Sequence, residues 1–94
     1  MNPPPLATAR ASDEFRDAVA TLNAGNGRAA ASQFARFIAA HPRDARAEDA
    51  AYLRVLALRQ AGDQAAMQAA GRAYLEHYRA GFRRSEVERL VQTP

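Results

Sequence analysis

Large apolar side chains recur at helical spacing along most of the chain. Phe15, Val19 and Leu22 fall at i, i+4 and i+7, and Ala30, Phe34, Phe37, Ile38 and His41 carry the same period through a second run. A third run, Tyr52, Leu53, Val55, Leu56 and Leu58, covers more than one face, as expected of a helix sandwiched between neighbours. Met67, Ala70, Tyr74, Leu75 and Tyr78 form a fourth stripe, and Val87, Leu90 and Val91 a short fifth. No segment carries a convincing strand pattern, so the chain is expected to be all-α.

Residues that start and stop helices frame these runs. Ser12, with Asp13 and Glu14 in the first turn, predicts a helix over 12–24 that ends at Gly25-Asn26-Gly27. The second helix, 28–41, stops before Pro42, which disfavours helix in the residue preceding it. Asp44 is the expected cap of the third, 45–61, which carries Glu48 and Asp49 in its first turns and stops at Ala61-Gly62. Asp63 caps the fourth, which ends before Gly81. Ser85 and Glu88 have the S-x-x-E spacing of a capping box and open a last helix over 85–91. The start, Met1-Asn2-Pro3-Pro4-Pro5, favours extended chain, so residues 1–11 read as a Pro-rich tether and 12–92 as a single helical domain.

Shifted by 37 residues, the chain overlays on itself. Phe15 meets Tyr52, Val19 meets Leu56, Ala30 meets Met67, Phe37-Ile38 meets Tyr74-Leu75, and His41 meets Tyr78. Ala24-Gly25-Asn26 meets Ala61-Gly62-Asp63, and Leu53 meets Leu90, the start of a third copy. The minimal expectation is two helical hairpins, about 12–44 and 49–81, closed by a helix over 85–91.

Gly25, Ala30, Phe34 and Pro42 stand at the small, small, large and Pro positions of the second half of a tetratricopeptide repeat (TPR), and the chain resembles that family over about residues 12–91. In the second copy Gly62 keeps its place, while Met67, Gly71 and Arg79 replace the Ala, large and Pro residues, so the likeness there is one of period and pattern. The tract from His41 to Tyr52 is similar to the spacer of envelope-associated bacterial tetratricopeptide proteins. The resemblance implies an all-α, TPR-like right-handed helical solenoid: two helical hairpins plus a short C-terminal capping helix. It also implies a bacterial protein-interaction or assembly module, in which a partner's peptide or helix lies on the wall formed by helices 12–24, 45–61 and 85–91. Where such domains grip a C-terminal carboxylate with Lys and Asn, the aligned positions hold apolar Phe15, Val19 and Leu53. That mode of binding is not expected. The polar candidates for partner binding are Arg16, Asn23, Arg54 and Arg59, whose guanidinium groups suit carboxylates. The competing reading of all four is a solvated helix face.

Composition narrows the chemistry. Of 94 residues, 45 are hydrophobic but 24 of those are Ala, which suits closely packed helices. The net charge is +3, every basic residue is Arg, and there is no Cys, which excludes disulfides, thiolate nucleophiles and Cys-based metal sites. The longest apolar stretch, Val55 to Leu58, is far short of a membrane span of roughly 20 residues. His41 and His77 each end a helix and have no ligand partners at metal spacing; Glu48 with Asp49, and Glu86 with Glu88, diverge on a helix and do not pair for acid–base catalysis. Ser12, Ser32 and Ser85 lack a nucleophile context. No catalytic, cofactor or metal site is therefore expected, and the chain is read as a non-enzyme. Arg79, Arg83, Arg84 and Arg89 form the one basic cluster, a site for an anionic nucleic acid or lipid that Glu76, Glu86 and Glu88 dilute. The alternative to partner binding is a structural role, with an end helix docking on a parent chain or a second copy. The start carries no secretory signal; as a piece of an exported protein the domain would lie in the envelope, and otherwise in the cytoplasm.

Overall fold

The computed structural model describes residues 5–92, with side chains from residue 9 onward. Five helices follow one another: α1 (Pro5–Asn23), α2 (Gly27–Ala40), α3 (Ala47–Gln60), α4 (Gln64–His77) and α5 (Arg84–Gln92). Among the described residues there is no strand. The all-helical expectation therefore holds, with three corrections at helix starts.

The first helix begins at Pro5, not Ser12, so residues 5–11 of the expected tether are helical; residues 1–4 lie outside the described residues. Pro is well placed to open a helix, because its missing N–H is one of those that have no intrahelical acceptor. Ser12 is an interior position whose Oγ accepts a hydrogen bond from Arg46 Nη1 at 2.8 Å. Asp44 does not cap α3, which starts three residues later; its carboxylate closes the preceding turn by accepting from the Arg46 backbone N–H (2.8 Å), Nε (2.9 Å) and Nη2 (2.8 Å). The expected Ser85–Glu88 capping box is absent, since α5 starts at Arg84 and Glu88 pairs with that Arg at 3.3 Å. Asp63 does cap α4, accepting from Ala66 N at 3.0 Å.

Corresponding turns close with corresponding bonds. Gly25 and Gly62 both take positive φ, +89° and +76°, where a side chain would be strained. Gly25 N–H donates to Leu22 O and Gly62 N–H to Arg59 O; Asn26 N–H donates to Thr21 O and Asp63 N–H to Leu58 O. At the other ends of the helices, His41 and Tyr78 donate to Phe37 O and Tyr74 O, and Ala47 and Arg84 donate to Asp44 O and Gly81 O.

Each helix packs chiefly on its neighbours in sequence, giving an array of 50 × 30 × 16 Å. In the first hairpin Phe15 meets the rings of Phe34 and Phe37 edge-on at 6.0 and 5.4 Å, over fully buried Ala18 and Ala30. Between the second hairpin and α5, Tyr52, Tyr74 and Val87 form another cluster. Helix α3 lies between these two and buries Ala50, Val55 and Ala57 completely. Two glycines permit close approaches. A Cβ on Gly27 would strike the Ala57 carbonyl, and one on Gly71 would strike Val91, with Val87 beside it.

Candidate functional site

Helices α2, α3 and α4 enclose a cleft of about 130 Å³. Ile38 contributes from the end of α2, Ala51 and Arg54 from α3, Tyr74 and His77 from the last turn of α4, and Tyr78 from the residue that follows it. Small residues on α4, Ala70 and Ala73, leave the space open. It is an apolar hollow edged by nitrogen: Arg54 and His77 are the ionisable nitrogen groups, and no carboxylate is among the lining residues. Arg54 is half-buried and makes no hydrogen bond or ion pair among the described residues, although a desolvated guanidinium gains much from a carboxylate.

Rigid framing holds this cleft. The Tyr74 hydroxyl donates to Glu48 Oε2 at 2.9 Å and accepts the Arg83 backbone N–H at 3.0 Å, while the same Glu48 oxygen accepts from Phe82 N at 3.0 Å. Its hydroxyl thus engaged, Tyr74 offers the cleft mainly ring. Burial, with the nearby Glu48 carboxylate, pushes its phenol up to about 12. Burial likewise raises the phenol of Tyr78. Sequence reasoning placed Glu48 among first-turn charges and missed its role; the bond spans 26 residues and has no local signature.

The four expected partner-binding residues do not converge. Arg16 is exposed on α1 and pairs with Asp13, and Asn23 lies two turns along on the same face. Their counterparts 37 residues on are Leu53 and Gln60, on α3. Arg59 is exposed in the last turn of α3, five residues and about 140° around the axis from Arg54. Arg54 lines a cleft with residues of α2 and α4, while Arg16 and Asn23 lie on α1. The position corresponding to Arg54 in the first hairpin is Asp17, in a wider crevice of about 610 Å³ between α1 and α2 that Glu14 and Arg36 also line. Charges of both signs there, and walls from only two helices, make it less selective than the three-helix cleft.

The basic cluster is largely paired within the fold. Arg83 stacks over Tyr52 at 4.8 Å and lies 3.9 Å from Glu86; Arg84 pairs with Glu88 and donates to the Arg79 carbonyl. Beside them Phe82 is 95% exposed, held out by the bond from its own backbone N–H to Glu48. His41 Nε2 lies 2.9 Å from Glu14 Oε1, tying the end of α2 to α1, and His77 packs against Tyr78. Among the described residues no group of three or more His, Cys, Asp or Glu is placed to hold a metal ion, and no helix is long and apolar enough to cross a membrane.

No family model, curated protein or solved structure matches the chain. The functional reading is thus built on its own residues.

Proposed function

We propose that the chain is a TPR-like right-handed helical solenoid and that it works as a non-catalytic protein-interaction module. One observation carries this reading: the end of the first helix, both ends of the second and the turn hydrogen bonds of the first hairpin recur 37 residues on in the second, and α5 starts 37 residues after α3; α1 alone starts earlier than the repeat requires. Arrays in which each unit contacts only its neighbours grow in length instead of closing around a deep pocket, and they present extended surface to a partner. The shape, 50 Å long and 16 Å across its thinnest axis, suits that use. The chain's bacterial character rests on the similarity of its spacer.

Self-association by stacking end helices is the less favoured role. The α1 face that corresponds to the packed Ala50, Leu53 and Ala57 of α3 carries exposed Asp13, Arg16 and Ala20. A charged face of this kind suits an end that stays in water.

Selection of random peptides displayed on phage against the immobilised domain tests the reading. Enrichment of a shared peptide pattern, with soluble peptides binding the domain, is the expected result. Failure to enrich any sequence over a blank surface would contradict it.

A further inference from the structure

Resting on that reading, we infer that the α2–α3–α4 cleft is the partner's docking point, and that it takes a peptide segment in which a carboxylate stands next to one bulky aliphatic or aromatic side chain. Charge, size and shape each lead to this occupant. Arg54 is half-buried at the cleft and without a carboxylate among the described residues, although this fold pairs other guanidinium groups, half-buried or exposed: Arg46 with Asp44, Arg84 with Glu88, Arg16 with Asp13. An incoming carboxylate would supply the missing charge, with bidentate geometry open to it. The hollow beside it, of about 130 Å³, is close to the roughly 150 Å³ of an apolar cavity that accepts a benzene-sized group. Its walls are Ile38, Ala70, Ala73 and the ring of Tyr74, so one Leu- or Phe-sized side chain would fill it while removing apolar surface from water.

The position of the cleft also selects the partner's form. It lies over the end of α2 and the last turns of α4 and is walled by residues of three helices, so only a chain crossing the array can reach both Arg54 and the apolar seat. The first hairpin does not duplicate the site, because Asp17 and Glu14 stand where Arg54 and Ala51 stand in the second and would repel the same carboxylate. One peptide per domain is therefore expected.

The test uses a capped alanine hexapeptide carrying adjacent glutamate and leucine, titrated into the isotope-labelled domain and followed by amide chemical shifts. Shifts confined to the end of α2, the middle of α3 around Ala51 to Arg54, and the stretch from Ala70 to Tyr78, with one-to-one saturation, are expected. Replacing the peptide's glutamate by glutamine, or Arg54→Gln in the domain, should each weaken binding about tenfold, and the two changes together little more than either alone. Ala73→Leu, at an exposed position, should block the seat while leaving the thermal melt unchanged. Shifts elsewhere on the surface, or equal affinity of the glutamate and glutamine peptides, would overturn the assignment. If phage-selected peptides bind but compete neither with this hexapeptide nor through Arg54, the interaction reading stands and the cleft assignment falls; if nothing is selected and the hexapeptide does not bind, both fall.

Discussion

Phe34 has no exposed surface and sits against Phe15 at the heart of the first hairpin. Its truncation in Phe34→Ala removes packing that the helices cannot close over, and a loss of ~3–5 kcal/mol in denaturant unfolding is expected; a loss near zero would mean that the second stripe does not face the interior. Two titrations read the polar contacts. Hydrogen bonds from Arg46 hold the Asp44 carboxyl down from 3.8 to about 2, so this contact stabilises the fold above the ordinary carboxylate range and is lost as pH falls from about 4 through about 2. Asp44→Asn should therefore flatten the acid limb of stability measured by urea unfolding between those values. Tyrosines give the opposite sign. The phenols of Tyr52, Tyr74 and Tyr78 are all raised, first by burial, and Tyr74 to about 12. Their neutral forms stabilise the fold below pH 10, an advantage that is lost as pH climbs toward 12, so tyrosinate absorbance should rise late and together with alkaline unfolding. A normal titration near pH 10 would show the phenols to be solvated. At this scale the interior stripes were legible because apolar period decides them; Glu48 to Tyr74 was not, because only the folded chain brings residues 26 apart together.

Helix count and most helix ends were legible because Gly25, Gly62, Asp63 and Pro42 act through their own backbone or side chain, without help from tertiary contacts. Starts were less so. Ser12 has the chemistry of a cap, yet Leu6 to Ala11 contain no helix breaker, and propagation through them gains a bond per residue. Gly71 looked like a departure from a large-residue position, and its cause is packing: Val91 of α5 occupies the space that a side chain would need. In Gly71→Ala, better helix propensity is worth about 1 kcal/mol, whereas overpacking costs about 1–3 kcal/mol. The second effect should win, and it should act on one element. Amide hydrogen exchange is expected to accelerate in α5 while α2 and α3 keep their protection; uniform protection, or loss throughout, would contradict the close α4–α5 contact.

For the molecule as a whole, exposed polar residues mark the outer faces of the first and last described helices. Asp13 and Arg16 face outward on α1, and Arg84 and Arg89 are exposed on α5, so light scattering should give a monomer of 10.2 kDa across a wide concentration range. Growth of the mass with concentration would favour stacking of copies. The cleft was only partly legible: Arg54 was singled out as a polar residue on the third helix, but which way it faces depends on how α3 is sandwiched, and four apolar residues from two other helices complete the site. The most direct test of the architecture is solution NMR of the intact chain, combining carbon secondary shifts with contacts across the helices. Helical shifts should break at 24–26 and 61–63, and again at 41–46 and 78–83, with Gly27 showing contacts to Ala57 and Gly71 to the Val91 methyls. Helix running unbroken through residues 24–26 or 61–63, or the absence of both glycine contacts, would contradict two stacked hairpins closed by a fifth helix.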